Sequence, residues 1–484
     1  TTMHLMPGAP VMASKDLKNW KTVSYIFDKL TDSPKYDLSF SLPLDQQKGE
    51  GVGTVYGRGQ WATSLKFHNG KFWALLAPNE QGAMGDTYIF TAPKAEGPWT
   101  IHARMRHFHD ATLFFDDDGT PYVFFGTGEM CQLTPDLKGV VEGSLRHYFQ
   151  REKEETGLLE GTRVIKHRGT YYAMLISQAY SSGLNRREVC YRTKDLNGKW
   201  EKHVILESDF GGFRHLAQGT IVDTEEGDWY GIMFQDRGGV GRVLTLSPVR
   251  WIDGWPMLGD ENYKVPEIMR PYKSGQPATG IVLPDDFDDT RLGLHWQWNH
   301  NPDNRLWSLT ERKGYLRLRT GDVCGTVADA RNTLTQRTFG PECGAYIKLD
   351  VSGMKEGDAA GLAAFAEKYG YVAVKIEDGK KYIVTVWYDD NDDVEREFET
   401  ERVEIAGNEV YLRVDCDYKN AADKAYFYYS LDDENWTKIG NTLQMNYYGL
   451  HFMGYRYAIF NFPTKKSGGY VDVDFFRVEN KLLK

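Results

Sequence analysis

Short apolar strands alternate with turn residues along the whole chain, and no long amphipathic helical pattern separates them. In the first half, a turn followed by an aromatic-rich strand recurs at residues 69–74, 118–123, 168–173 and 226–231. A short polar stretch that often ends in Trp, here called the landmark, follows each copy, at residues 95–99, 135–137, 194–200 and 253–256. Residues 14–20 form a fifth landmark, whose preceding strand is barely present.

The spacing of roughly 50 residues is typical of a four-stranded propeller blade. Five landmarks therefore predict an all-β chain that begins with a five-bladed β-propeller.

The character of the sequence changes around residues 266–284, where the repeat ends. Residues 271–280 have the Pro, Gly and Ser content of a linker. Beyond the linker, apolar and polar positions alternate in strands such as 371–375 and 410–415, which is typical of two packed antiparallel sheets. We therefore predict a β-propeller over residues 1–270, as the candidate catalytic domain, and an accessory β-sandwich over residues 281–484.

Composition narrows the classes of partner. Aromatic residues make up 14% of the 484, including 13 Trp and 29 Tyr, which suits β-rich proteins and also proteins that stack rings on sugars. The formal net charge of −10 disfavours nucleic acid and anionic membranes, because both bind basic surfaces. No apolar run is long enough to span a membrane. The five cysteines lack zinc-ligand spacing, we expect no organic cofactor, and the oligomeric state stays unknown.

Two carboxylates stand out because they lie in apolar inner-strand sequence. Asp110 lies within residues 108–115 and Glu160 within residues 158–165, each directly upstream of a strand of the repeat. They occupy equivalent positions in successive blades, and a propeller brings such positions together around its axis. Apolar surroundings should raise the pKa of a carboxyl, as a general acid at a glycosidic oxygen requires. A hydrogen-bonded turn carboxylate is the simpler interpretation of either residue alone, and the equivalence across blades disfavours it.

These segments resemble glycoside hydrolase family 43, the inverting β-xylosidases and α-L-arabinofuranosidases. The resemblance implies that Glu160 is the general acid and that Asp110 tunes the pKa of this acid and orients it. The region after residue 284 is similar to the jelly-roll, concanavalin-like β-sandwich often attached to such propellers. The segments that carry the resemblance are residues 14–20, 109–119, 160–163, 249–256, 285–287 and 294–302.

The resemblance implies an exo-acting, inverting enzyme that releases α-L-arabinofuranose, β-D-xylose or both from plant hemicellulose or its oligosaccharides. The two sugars present similar hydroxyl groups, so the sequence does not rank them. A non-catalytic glycan-binding protein of the same fold is the alternative from another class. A propeller that serves protein interactions is a third interpretation, which the paired acids Asp110 and Glu160 disfavour. Digestion of plant polymer slightly favours a periplasmic or extracellular location over a cytoplasmic one.

The general base is the point at which the sequence departs from the family. The family's base is an aspartate in an Asp-Pro context on the first inner strand, and no Asp-Pro pair occurs in this sequence. Asp16, the nearest acidic residue, lies in an outer turn and is a poor substitute. We expect the chain to begin after that strand, with the base upstream of residue 1 and the first propeller strand missing. The alternative is a chain that is catalytically inactive.

Further site residues are implied by the resemblance. Trp61 resembles a family tryptophan that shapes the sugar subsite, although a core position is an equal alternative. Arg242 falls where an arginine contacts the sugar and the carboxylates, which would hold Asp110 ionised. The remaining candidates are His4 and Phe108, as walls of the subsite, and Gln218, which takes the place of a histidine beside a central cation and so makes an axial metal doubtful.

The sandwich has its own candidate ligands. Asp286 near its start and Asp474 near its end would be neighbours if the first and last strands pair. Oxygen ligands of this kind suit Ca²⁺. The resemblance favours a structural calcium ion here over the alternative of solvated surface acids.

Overall fold

A computed structural model describes residues 3–29, 59–80, 83–153, 155, 157–178, 186–269, 272–273, 277, 279–388, 397–447 and 452–483. Among these residues there are 35 strands, two short 3-10 turns and no α-helix, which confirms the all-β prediction. No helix of the described chain is long and apolar enough to cross a membrane. Much of the predicted linker, at residues 271, 274–276 and 278, lies outside the described residues.

Five antiparallel sheets form the first part of the chain. A two-stranded sheet pairs β1 (Gly8–Ser14) with β2 (Trp20–Phe27). Four larger sheets follow as propeller-like blades, whose strands pair as consecutive neighbours except that β5 lies beside β4. The strands of these blades are β3 (Gly59–His68), β4 (Lys71–Glu80), β5 (Ala83–Met84), β6 (Thr87–Ala92) and β7 (Thr100–Met105); β8 (Thr112–Phe115), β9 (Pro121–Phe125), β10 (Glu129–Gln132) and β11 (Arg146–His147); β12 (Leu158–His167), β13 (Thr170–Gln178), β14 (Arg187–Thr193) and β15 (Glu201–Leu206); β16 (Ser208–Phe210), β17 (Phe213–Asp223), β18 (Trp229–Asp236), β19 (Arg242–Ile252) and β20 (Trp255–Leu258).

The prediction of five blades is wrong for the described residues, which form four. The fifth landmark lies in the β1–β2 hairpin, where Ser14 pairs with Trp20, and that sheet has only two described strands. The landmark marks a tight turn and not a whole blade. Asp16 closes this turn by accepting hydrogen bonds from the backbone N–H and the side-chain amide of Asn19, both at 2.7 Å. The same bonds recur between Asp432 and Asn435, far outside the propeller.

The turn residues of the repeat act as predicted in the blades. Asn69 and Gly70 both have positive φ, as do Arg168 and Gly169. Two consecutive residues of this kind form the type I′ turn, whose twist matches that of the strands it joins. These turns close the β3–β4 and β12–β13 hairpins and so fix which side chains of the inner strands face the axis.

Two sheets pack face to face in the second part of the chain. One has the order β21-β24-β34-β26-β27-β28-β29 and the other β22-β23-β35-β25-β30-β31-β32, with β33 beside β31. Alternate residues of both sheets, such as Ile347 and Leu362, are fully buried between them. The strands are β21 (Gln297–Trp298), β22 (Trp307–Ser308), β23 (Leu316–Arg319), β24 (Leu334–Arg337), β25 (Glu342–Asp350), β26 (Asp358–Phe365), β27 (Gly370–Glu377), β28 (Lys380–Tyr388), β29 (Glu397–Ile405), β30 (Glu409–Asp417), β31 (Lys424–Ser430), β32 (Thr437–Lys438), β33 (Leu443–Gln444), β34 (Arg456–Pro463) and β35 (Tyr470–Glu479).

The sandwich contacts the propeller through backbone hydrogen bonds at two places. Met6 and Trp298 exchange two bonds of 3.0 and 2.6 Å. On the other side, Gly241 at the tip of the β18–β19 hairpin bridges Met453. A Cβ on Gly241 would lie 2.0 Å from the backbone nitrogen of Gly454, so only glycine allows this approach.

We expect Gly241→Ala to lower the free energy of unfolding by about 2 kcal/mol or more, because it combines an unfavourable φ of +83° with a backbone clash. Thermal and chemical denaturation measure the effect. Gly70→Ala is the matched control, since Gly70 also has positive φ, at +73°, but a Cβ added there would have no atom within 4 Å. Equal losses of unfolding free energy in the two variants would show that the contact with the sandwich adds nothing to the cost of the substitution at Gly241.

Candidate active site

Three inner strands of the propeller are broken by a bulge at the same level. The pairing shifts between Gln60 and Thr63 in β3, between Glu160 and Arg163 in β12, and between Ala217 and Gly219 in β17. A bulge inserts an extra residue and re-aims the neighbouring side chains. The bulged residues include Trp61 and Gln218, and one bulge begins at Glu160.

The structure brings Asp110 and Glu160 together, as their equivalent positions predict. One ligand atom from each of His109, Asp110 and Glu160 lies within 4.8 Å of the others. The Nε2 atom of His109 is 3.3 Å from Oε2 of Glu160, and the amide of Gln218 donates to Oδ2 of Asp110 at 3.2 Å. The side chain of Glu160 is 29% exposed, so a ligand in the pocket can reach its carboxyl.

Gly161 allows the close approach of Gln218 to this cluster. It follows Glu160 in the bulge with φ at +75°, and an added Cβ would lie 2.3 Å from the amide nitrogen of Gln218. Asp110 and Gln218 also adopt positive φ, at 47° and 60°. Such conformations are uncommon for residues other than glycine and often occur at functional sites.

The electrostatics of the cluster are set by its surroundings. The dense protein around Asp110 raises the pKa of its carboxyl, and the nearby His109 and Arg163 oppose this rise only in part. The pKa of His109 is raised, first by its hydrogen bond to Glu160 and then by the charge of Asp110. The sequence predicted a desolvated carboxyl at this place, and Asp110 fits that description.

A second carboxyl, Glu188 in β14, lies beneath the cluster and was missed in the sequence. It is fully buried, and it accepts the backbone N–H of Gln218 at 2.7 Å, while its Oε1 has no hydrogen-bond partner among the described residues. Burial raises the pKa of Glu188 to about 8. The available signal was a lone acid directly before the apolar run of residues 189–191 in β14. Glu188 holds the Gln218 bulge in place and thereby supports Asp110.

The partly buried cation next to these acids is Arg163. Arg163 donates to the carbonyl oxygens of Thr162 at 2.8 Å and of Ala111 at 3.5 Å, and both Asp110 and Glu188 act on it electrostatically. Burial lowers the pKa of Arg163, which a guanidinium tolerates without losing its proton. Sequence reasoning assigned the role of this cation to Arg242.

Arg242 lies instead at the pocket wall, paired with Asp236. Its Nε donates to Oδ1 of Asp236 at 2.8 Å, and Arg186 binds the other oxygen at 2.9 Å. Although burial raises the pKa of Asp236, these hydrogen bonds lower it overall. The guanidinium of Arg242 stacks between the rings of Phe234 and Phe452, at 3.7 and 4.2 Å. Its predicted contact with the sugar stays a prediction.

Trp61 links this wall to the carboxyl cluster. Its ring makes edge contacts with His109, at 6.1 Å between centroids, and with Phe452, at 5.3 Å. The indole Nε1–H is buried without a hydrogen-bond partner in the described part of the chain. The contact with His109 places the ring of Trp61 next to the carboxyl cluster. Its role in a sugar subsite stays a prediction.

The sandwich supplies part of the pocket wall, which sequence reasoning did not find. Phe452 lies between Trp61 and Arg242, and the hydroxyl of Tyr447 is 3.4 Å from a guanidinium nitrogen of Arg242. Both residues are more than 180 positions from the propeller strands they touch. No local sequence pattern predicts such a contact, because nothing in the segments that contain Phe452 and Tyr447 resembles a site.

His4 and Phe108 lie outside the cluster. His4 is 2% exposed, and its Nε2 is 3.0 Å from Oδ1 of Asn299 at the contact with the sandwich. Phe108 is 1% exposed and packs on Phe125 within the propeller core. Apolar packing explains Phe108 fully. Its role as a wall of the subsite, like that of His4, has no support from these contacts.

The calcium prediction stays a prediction, and the two carboxylates do not fit the ion. Asp286 binds a guanidinium nitrogen of Arg477 at 2.6 Å, and Asp474 lies 3.3 Å from the ammonium of Lys348. Each carboxylate therefore already has a protein cation as its partner. Among the described residues, the one group of three possible metal ligands is His109, Asp110 and Glu160.

Comparison with known families agrees with this geometry. Residues 1–256 match the model of glycosyl hydrolases family 43. Residues 284–479 match that of the β-xylosidase C-terminal concanavalin A-like domain.

Similar proteins cover nearly the whole chain. A β-xylosidase of Formosa agariphila is 28% identical over 98% of this chain and 85% of its own. The non-reducing end α-L-arabinofuranosidase BoGH43B of Bacteroides ovatus is 27% identical over 76% of this chain and 69% of its own. A solved structure described as a bifunctional GH43-CE of Bacteroides eggerthii is 42% identical, with a TM-score of 0.90. The match covers 100% of this chain, which spans 61% of the length of that protein.

We expect Glu188→Gln to become progressively more stable than the parent chain as pH rises from about 5 to about 8. The raised pKa of Glu188 keeps a proton in the folded state that the unfolded chain loses near pH 4.3, so the stability of the parent falls across this window. The glutamine has no proton to lose. Denaturant titrations at several pH values should show a gain above about 1 kcal/mol at pH 8.

Glu142→Gln, at an exposed position, is the control and should follow the parent at every pH. A constant difference between Glu188→Gln and the parent would contradict a protonated Glu188.

Proposed function

We propose that this chain, which belongs to glycosyl hydrolase family 43, is an exo-acting, inverting glycosidase. Its proposed products are α-L-arabinofuranose, β-D-xylose or both, released from plant hemicellulose or its oligosaccharides. The observation that carries the proposal is the accessible carboxyl of Glu160 with His109 on one oxygen and Asp110 close by. Relatives named β-xylosidase and α-L-arabinofuranosidase support the choice of sugars.

Glu160 is proposed as the general acid. It donates its proton to the glycosidic oxygen, so that the leaving group departs as an alcohol while the bond to the anomeric carbon breaks. A water attacks the opposite face of the sugar and gives its proton to a general base. The base is assigned to no residue of this chain, because the family resemblance requires an Asp-Pro pair that the sequence does not contain.

Asp110 is proposed to orient Glu160 rather than to act as the base. Inverting enzymes keep their acid and base carboxyls about 6.5–9.5 Å apart to admit the attacking water. One oxygen of Asp110 lies within 4.8 Å of one oxygen of Glu160, an approach that favours a direct electrostatic influence on Glu160 over the role of a base. Gln218 donates a hydrogen bond to one oxygen of Asp110. A negative charge on Asp110, beside Glu160, would favour the protonated form of Glu160.

The pocket wall supports exo action. A continuous surface of two aromatic rings and one guanidinium lies next to His109 and Glu160. It consists of Trp61, Phe452 and Arg242. We propose that this wall, built from two domains, closes one side of the site and so admits a terminal sugar rather than a continuous polymer.

We expect Glu160→Gln to lose about 100-fold or more in turnover of oligosaccharides, which need a proton on the leaving oxygen. Activated aryl glycosides, whose leaving groups depart as anions, should lose much less. Paired assays with aryl α-L-arabinofuranoside, aryl β-D-xyloside and short xylo-oligosaccharides measure both effects and rank the two sugars. Glu142→Gln is the exposed-carboxyl control, expected to match the parent.

The stereochemistry of the product tests the rest of the proposal. Proton NMR of the first sugar released should show the anomer opposite to that of the substrate. Retention would assign Asp110 as a nucleophile and overturn its orienting role. No release from any of these substrates would overturn the enzyme proposal for this chain.

We expect Phe452→Ala to raise KM for the aryl glycosides about tenfold, with a smaller change in kcat. The substitution removes one wall of the pocket and one of the two rings on Arg242, but it leaves the carboxyl cluster intact. Steady-state kinetics give both constants. Phe398→Ala, at a sandwich phenylalanine that is 43% exposed, should leave them unchanged. A fall in kcat alone would contradict a binding role for Phe452.

A further inference from the structure

The outer face of the eight-stranded sheet carries a cavity that is separate from the carboxyl cluster. Its volume is about 470 Å³, within the range of about 300–1,000 Å³ typical of small-molecule sites. It is called here the Trp436 cavity. Its lining consists of Tyr346, Arg413, Asp433, Trp436, Glu479 and residues 481–483.

Aromatic rings form one side of the Trp436 cavity. The rings of Trp436 and Tyr346 meet edge to face, at 5.4 Å between centroids and 77° between planes. Phe475 continues the row at 5.6 Å from Tyr346, and Tyr411 lies 6.3 Å beyond it. All four side chains are partly exposed on the outer face of the sheet. Trp436 and Tyr346, the two rings that line the cavity, offer apolar surface to the C–H side of a sugar and polar edges to its hydroxyls, whereas Arg477 lies over Phe475 at 4.2 Å.

The charges at the cavity balance one another. The Arg413 side chain is only 2% exposed, and it binds Asp415 at 2.7 Å and Glu479 at 2.8 Å. The four charged residues that line the cavity, Arg413, Glu479, Lys481 and Asp433, sum to zero. Asp415 adds one negative charge beside Arg413, so the cavity has no excess positive charge to attract an anion. Partly exposed Glu479 and exposed Asp433 can accept hydrogen bonds from hydroxyl groups.

The turn that presents Trp436 is fixed before any ligand binds. Asp432 accepts the hydroxyl of Ser430 at 3.0 Å and the backbone N–H and side-chain amide of Asn435 at 2.7 Å each. These bonds lower the pKa of Asp432, so the turn holds an ionised carboxylate at neutral pH. A rigid aromatic platform loses little entropy on binding.

We propose that the Trp436 cavity is a second carbohydrate site, which binds a neutral pentose polysaccharide chain away from the active site. The aromatic row supplies the apolar contact, and the balanced polar rim supplies the hydrogen bonds. The cavity shares no residue with the cluster around Glu160, but the choice of a pentose polysaccharide as its ligand rests on the proposed function. Binding here would keep the enzyme near its polymer while the pocket acts on chain ends.

Affinity gel electrophoresis with soluble neutral xylan tests the proposal, using chains that carry Glu160→Gln to prevent hydrolysis. Trp436→Ala should weaken retardation by xylan about tenfold, as expected for the loss of one stacking ring. Tyr426→Ala, on the same sheet but outside the cavity, is the matched control and should be retarded like its parent. With Glu160 restored, Trp436→Ala should hydrolyse aryl glycosides within about twofold of the parent rate.

Unchanged retardation of Trp436→Ala overturns the proposal, and so does retardation by anionic polygalacturonate but not by xylan. Loss of aryl glycoside hydrolysis together with xylan binding would place the effect in the active site and also overturn it. Thermal denaturation shows whether Trp436→Ala is folded. If it is not, Asp433→Ala replaces it as the test at an exposed rim position, and weaker retardation is again the expected result.

Discussion

The guanidinium of Arg163 at the propeller axis is the charge on which the site depends. An arginine keeps its proton even when buried, so ionised groups nearby must compensate it. Asp110 and Glu188 are the two carboxyls that act on it. Burial raises the pKa of Glu188 to about 8 and also raises the pKa of Asp110, which the charges of His109 and Arg163 lower only in part. Arg163, not Arg242, is therefore the arginine that acts electrostatically on Asp110.

A β-bulge positions a residue of the candidate site in each of several blades. Bulges in β3, β12 and β17 each place a residue of the site toward the axis, and Gly161 makes the approach of Gln218 to Asp110 possible. A regular strand would alternate its side chains between the two faces of the blade and would not gather them at one level. The repeat in the sequence therefore predicts the meeting of Asp110 and Glu160, because both keep the same phase relative to the turn that follows.

The sequence predicts the parts of the molecule that local pattern controls. The all-β architecture, the hairpin turns and the meeting of Asp110 and Glu160 all follow from alternation and spacing. The blade count failed because the landmark reports a hydrogen-bonded turn, which also occurs at Asp432 in the sandwich. Glu188 and Phe452 were missed for another reason. Their roles come from burial and from contacts with residues distant in sequence. No local sequence pattern indicates either the burial or the contacts.

The sandwich is part of the candidate active site and not only an appendage. Arg242 lies between Phe234 of the propeller and Phe452 of the sandwich, and Tyr447 contacts the same guanidinium. The hairpin that ends at Arg242 bonds to the sandwich through Gly239 and Gly241, so the backbone that carries the cation is fixed by the same contact. Without the sandwich, Arg242 would keep Asp236 but lose one ring and its anchored hairpin. Because Trp61 also packs on Phe452, the pocket wall exists only where the two domains meet.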